Sequence, residues 1–154
     1  MLVIRHALFP QDEKAVLEIF YEYVRSPSVS LEYQNYDAEF ASLPGQYGQP
    51  DGRLMLAEID ARIAGCVALR KVTDAICEMK RLYVRPGFRQ AGAGKQLIEC
   101  IMIEAKSAGY AEIRLDVLPE FKQARKLYEA RGFAVADPVS LNLVPGSLFL
   151  GKTL

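Results

Sequence analysis

Residues 79–95 carry the densest chemistry in the chain: an apolar strand-like run stops at Pro86 and passes through a loop containing Gly87, Gly92 and Gly94 into an amphipathic stretch. Arg85, Arg89 and Lys95 place positive charge around that loop in a chain whose formal net charge is zero. A helix N-terminus leaves backbone N–H groups without acceptors and carries partial positive charge, so this arrangement suits phosphate oxygens. Glycines at 92 and 94 let a ligand approach the main chain and permit conformations closed to other residues. Two other phosphate motifs fail on inspection. A Walker loop needs glycine where Arg89 stands and Ser or Thr where Gln96 stands, and a dinucleotide fingerprint needs glycine at Leu97.

A second pattern follows downstream, as Ala124-x-x-Leu127-Tyr128-Glu129-x-x-Gly132-Phe133. Together with Arg89-x-x-Gly92-x-Gly94, set after a strand ending Leu82-Tyr83-Val84, it resembles the GNAT family of acetyltransferases. The resemblance runs from about residue 2 to the last strand and is sharpest over residues 78–133. It implies an N-acetyltransferase that takes acetyl-coenzyme A as co-substrate and passes the acetyl group to a primary amine by direct attack in a ternary complex. The loop residues Arg89, Gln90, Ala91, Gly92, Ala93, Gly94 and Lys95 would then hold the pyrophosphate. The backbone of Leu82, Tyr83 and Val84 would hold the pantetheine arm and the thioester oxygen. Tyr128 stands at the family's tyrosine position, where its hydroxyl would protonate the leaving thiolate; the lesser alternative is a core residue beside Leu127. Many members carry an asparagine where this chain has Phe121, so that contact to the arm is missing here.

Glu78 is the base candidate. Strict alternation along a strand puts residues 78, 80, 82 and 84 on one face, and some members carry a glutamate at the matching place. A carboxylate among Ile76, Cys77 and Met79 costs free energy to bury. The other reading is an ion pair with Lys80 or Arg70.

These residues need elements to position them. Residues 2–8 read as a strand, and Asp12 is placed to cap a helix reaching Arg25. A short helix over 37–43 and a Pro/Gly-rich loop over 44–52 follow. Three consecutive strands cover 53–59, 62–71 and 75–84, the first two joined at Asp60-Ala61. A helix over 92–107 stops before Gly109, a strand spans 111–118, a helix spans 119–131, and strand-like pieces lie at 134–136 and 148–153. One domain over 1–154 follows, of α/β (α+β) class: a mixed, largely antiparallel sheet of six to seven strands with about four helices.

Composition bounds the rest. Lys plus Arg and Asp plus Glu both number 19, which argues against a nucleic-acid surface. His6 is the only histidine and no Cys-x-x-Cys pair exists, so no metal site is expected. Cys66, Cys77 and Cys100 read as buried reduced thiols, and no apolar run is long enough to span a membrane. A cytoplasmic location without membrane contact is the default, and a homodimer is open. The acceptor side falls to residues 21–51 and 137–147 and fits a small-molecule or peptide amine. Two alternatives stay open: a non-catalytic acetyl-coenzyme A sensor or scaffold, and an acyltransferase for a longer acyl donor served by Lys80 or Arg81.

Overall fold

Continuous apolar runs make the central strands β2 and β3 and polar–apolar alternation makes β5, and the computed structural model, which describes residues 1–154, joins the strands in one sheet. The order along the chain is β1 (Leu2–His6), α1 (Glu13–Arg25), α2 (Tyr36–Ala41), β2 (Arg53–Ile59), β3 (Arg62–Lys71), β4 (Ile76–Val84), α3 (Ala93–Ser107), β5 (Glu112–Val117), α4 (Lys122–Ala130), β6 (Ala134–Val135) and β7 (Leu148–Thr153). Short 3-10 turns lie at Glu32–Gln34, Gly45–Tyr47 and Pro86–Ala91. The seven strands run β1-β2-β3-β4-β5-β7-β6, and every neighbouring pair is antiparallel except β4 with β5. This is the mixed sheet with four α-helices that the sequence implies.

Local chemistry sets most element ends. Asp60 and Ala61 both take left-handed φ, 51° and 64°, the geometry of a tight two-residue hairpin turn. Asp12 precedes α1 without capping it through its side chain. Its carboxylate instead accepts two bonds from Arg5, at 2.6 and 2.9 Å, and one from the Leu8 amide at 2.7 Å. The helix start is thus tied to β1, because a guanidinium offers a carboxylate two parallel donors.

Two apolar layers sandwich the sheet. On one face Leu97, Ile98, Ile101 and Ala105 of α3 and Tyr128 of α4 pack on Met55, Val67, Leu69, Met79, Ile113 and Leu115. On the other, Val16, Ile19 and Phe20 of α1 and Phe40 of α2 pack on Leu54, Leu56, Cys66 and Ala68.

The pairing slips twice: between β2 and β3 at Ala57/Glu58, where Ala64 is the extra residue, and inside β4. Cys66 pairs with Tyr83 but Ala68 pairs with Lys80, so Arg81 and Leu82 share the space opposite one residue of β3. Arg81 takes φ 62°, the bulge conformation. The expected common face of residues 78, 80, 82 and 84 is therefore split. Glu78, Lys80 and Arg81 turn to the α1 face, while Leu82 and Val84 pack with the α3 layer. Arg81 is 2 % exposed. It is held by Glu39 through Nε and Nη2, both at 3.1 Å, and by Gln34 at 2.7 Å.

Removing one partner of a buried pair leaves the other charge without compensation, at about 3–5 kcal/mol. Glu39→Ala should therefore lower the urea midpoint by that equivalent. Glu129→Ala, which breaks the half-exposed Arg125–Glu129 pair, should move stability by less than about 0.5 kcal/mol. Equal effects in the two variants would remove the Arg81 clamp as a structural element.

Candidate active site

The first helical bond of α3 runs from the Gln96 amide to the Gly92 carbonyl at 3.2 Å, which leaves the amides of Ala93, Gly94 and Lys95 without helical acceptors. Gly92 sits at φ 78° and a Cβ there would meet nothing within 4 Å, so its glycine serves conformation while the space outside stays open. Gly94 differs. A Cβ on it would make ordinary contacts with Val84 and Leu127 at 3.7 and 3.8 Å, so the chain itself does not demand glycine there. The open cradle of three amides at a 15-residue helix suits a pyrophosphate.

The positive charge near this cradle is smaller than the sequence suggests. Arg85 is held by Glu22, with Nη2 at 2.6 Å, and also donates to the Ile63 carbonyl at 2.9 Å. Arg89 turns back so that Nε donates to the Val84 carbonyl at 3.0 Å. Lys95 and Gln90 stay exposed at the loop.

Beside the cradle the sheet opens. The parallel ladder of β4 and β5 stops after the pairs Ile76–Glu112, Cys77–Ile113 and Glu78–Arg114. Beyond it, Tyr83 pairs with Cys66 and the Arg85 amide bonds the Ala64 carbonyl at 2.8 Å, both toward β3. The amides of Leu82 and Val84 therefore point the other way, toward the gap that β5 has left, while the Val84 carbonyl on that side is taken by Arg89. Backbone groups at such an edge need partners, and an extended amide-bearing chain supplies them.

The gap contains a cavity of about 40 Å³, lined among others by Tyr23, Lys80, Leu82, Asp116, Phe121 and Tyr128. Tyr128 reaches it from the α4 face, and Tyr23 and Asp116 from the α1 face. Burial first, and then the neighbouring Tyr23 and Asp116, raise the Tyr128 phenol well above its ordinary value. It therefore stays protonated across the neutral range, and no group of the chain bonds its hydroxyl. Phe121 packs between both apolar layers, so the place of the family asparagine is apolar.

Glu78 is fully buried and both its oxygens are engaged. Arg70 Nε donates to Oε1 at 2.7 Å, and Ser140 Oγ donates to Oε2 at 2.9 Å. Of the two partners open from the sequence, Arg70 makes the ion pair. Asp116 faces the cavity one strand away, with Asn142 Nδ2 donating to its Oδ2 at 2.7 Å. Burial, and after it the charge of Glu78, raise the Asp116 carboxyl above the usual carboxylate range. Asn142 Oδ1 also accepts from the Tyr33 hydroxyl at 3.2 Å, tying the 137–147 segment to the 31–34 turn. Both lie in the regions expected to form the acceptor side.

Asp116 escaped the sequence reading. The alternation of Ile113, Leu115 and Val117 puts it on the opposite strand face, where a carboxylate ordinarily meets water; only the covering by α1 and residues 137–147 makes it a cavity group. Of the three free cysteines, Cys66 and Cys77 are buried and Cys100 is only partly so. No three His, Cys, Asp or Glu side chains cluster to hold a metal ion, and no helix is long and apolar enough to cross a membrane.

Known proteins share this fold. The model of the acetyltransferase (GNAT) family matches residues 14–133. An uncharacterised N-acetyltransferase of Schizosaccharomyces pombe is 34% identical over 143 residues, covering 92% of this chain and 88% of that one. A GNAT-family acetyltransferase of Staphylococcus aureus superposes with a TM-score of 0.82 at 17% identity, covering 99% of each chain. An acetyltransferase of Salmonella typhimurium solved with acetyl-CoA superposes with a TM-score of 0.74 at 17% identity, covering 99% of this chain and 93% of that one. The family model spans the glycine cradle, the splayed strands and the tyrosine helix alike: the chain belongs to the GNAT family of acetyltransferases.

Proposed function

We propose that the chain is an N-acetyltransferase that binds acetyl-CoA across the α3 cradle and the β4–β5 gap and acetylates a primary amine in a ternary complex. The observation that carries this reading is the single continuous path from the unpaired amides of Ala93, Gly94 and Lys95, past the free edge of Leu82 and Val84, to the cavity under Tyr128. A pyrophosphate, an amide-bearing arm and a thioester, in that order, match those three stations. Acetyl-CoA would supply an acyl carbon already activated by a thiol leaving group. The first amide groups of α3 and exposed Lys95 hold phosphate charge, Gln90 and Ala91 frame the loop, and the fixed β4 amides stabilise negative charge growing on the thioester oxygen.

The amine must lose a proton before it attacks. Glu78 is bonded by Arg70 and Ser140, so the base role expected of it passes to Asp116, which faces the cavity and has a free Oδ1. Glu78 then acts through Asp116: its charge makes the neighbouring carboxylate more basic. Tyr128 keeps its proton because burial disfavours the phenolate, and full transfer to an ordinary thiolate is uphill. Its work is hydrogen-bond donation to the sulfur as charge leaves the carbonyl. Turnover rather than sensing is favoured because a silent binder has no use for a buried tyrosine and a carboxylate facing one cavity. A cytoplasmic site of action accords with three free thiols.

Three expected outcomes test these roles. Gly94→Glu keeps an unstrained backbone but sets a carboxylate in the cradle, so acetyl-CoA affinity should fall on the order of 100-fold while the melting temperature moves little; unchanged affinity in calorimetry would sink the cofactor path. Tyr128→Phe should lower kcat roughly 100-fold, and full turnover would remove the tyrosine from the mechanism. The acid limb of the kcat–pH profile should report Asp116, whose folded pKa is raised. Glu78→Gln removes a nearby negative charge, lowers that pKa and should shift the limb to lower pH, whereas Asp116→Asn should abolish the limb and most of the rate. A limb that stays in place in Glu78→Gln would falsify the coupling.

A further inference from the structure

Lys80 and Asp116 are two opposite charges that face the same cavity without meeting. They lie on the two parallel strands that separate after the Glu78–Arg114 pair, each two residues beyond it and on the same sheet face. Had the ladder continued, they would stand side by side. Because it stops, they form no ion pair, although each lies within the electrostatic reach of the other. Every other charge close by has its own partner. Arg81 is bound by Glu39 and Gln34, Glu78 by Arg70 and Ser140, and Arg85 by Glu22. Lys80 has no hydrogen-bond partner in the chain, and Asp116 is bonded at only one oxygen.

An unpaired ammonium and a half-paired carboxylate, both half-buried, cost free energy that a ligand completing them would recover. The ligand that completes both at once carries an amine and a carboxylate a short distance apart. From this gap we infer that the acceptor is a free amino acid, with its ammonium on Asp116 and its carboxylate on Lys80. The inference rests on the transferase reading above and names the substrate class of that same site. The side chain would extend past Gln34 and Tyr33, beneath the 137–147 segment that Asn142 ties to Asp116. A peptide N-terminus or a lysine side chain presents an amine with no carboxylate beside it and leaves Lys80 without a partner.

A longer acyl donor would also bring a carboxylate to Lys80, and the test separates the two sources. Coenzyme A release by the full-length protein is measured with saturating acetyl-CoA against free amino acids, the matching amino-acid amides and the matching decarboxylated amines, and then with succinyl-CoA and the plain amines. The expected result is a kcat/KM for free amino acids about tenfold to 100-fold above their amides, the worth of a charge-assisted hydrogen bond. Lys80→Met and Lys80→Gln should bring that ratio close to one chiefly through KM for the amino acid, with Lys80→Arg restoring part of it. A merely structural lysine would lower all acceptors alike. Amides or amines used as well as free amino acids, with release still observed, would overturn the acceptor assignment and leave the transferase standing. A preference for succinyl-CoA on plain amines that disappears in Lys80→Met would move the carboxylate to the donor and overturn it too. No release and no acetyl-CoA binding would overturn the transferase reading itself.

Discussion

The parting of β4 from β5 is the feature on which the rest of the molecule depends. Parallel strands cannot be joined by a tight turn, so the chain leaves β4, forms α3 and returns as β5. That crossover places the N-terminus of α3 directly after the end of β4, beside the gap. Two features hold the gap open. The bulge at Arg81 redirects the last residues of β4, and β5 is drawn to its other neighbour by six paired positions with β7, against three with β4. The result is a sheet with an unsatisfied internal edge at its centre, covered by helices on both faces.

Such an edge is unstable unless its walls are stiff, and here the stiffness is electrostatic. The bulge residue is an arginine with left-handed φ, a conformation unfavourable for a side chain with Cβ. It is retained because its guanidinium is gripped by Glu39 from α2 and Gln34 from the preceding turn. Across the same face Arg70 and Ser140 fix Glu78, and so link β3 and β4 to the segment that precedes β7. Each clamp joins distant parts of the chain around the gap. Their strength comes from burial, since the same pairs in water would contribute little.

Much of this was legible in the sequence, and the division follows range. The cradle could be read because its signals are local: a strand stop at Pro86, glycines at 92 and 94, and helical spacing from Leu97 onward. The hairpin at Asp60-Ala61 and the order of elements were visible for the same reason. What escaped depends on contacts far apart in the chain. Glu78 could be recognised as costly to bury, but not that Ser140, 62 residues away, would occupy its second oxygen. The bulge carried no glycine to announce it, so alternation was extended through Arg81 and set Glu78 on the face of Leu82. Asp116 looked like a solvent-facing residue because the strand pattern reports which face is apolar, not what covers the other. Arg85 counted toward a phosphate site only until Glu22 came within 2.6 Å.

The charge distribution then follows from a single rule applied unevenly. The chain is neutral overall, and around the gap neutrality is enforced pair by pair: Arg81 with Glu39, Arg70 with Glu78, Arg85 with Glu22. Where the strands have separated too far for the rule to act, Lys80 and Asp116 remain as a dipole across the opening. Water can screen that dipole, and a bound molecule that expels water must replace the screening with its own charges. A ligand with the wrong distribution leaves one of the two without a partner as water is expelled, which costs affinity. In the proposed transferase the split sheet both makes room for two substrates and imposes a charge pattern on the second, because the backbone parting that opens the cavity is the same parting that prevents these two side chains from neutralising each other.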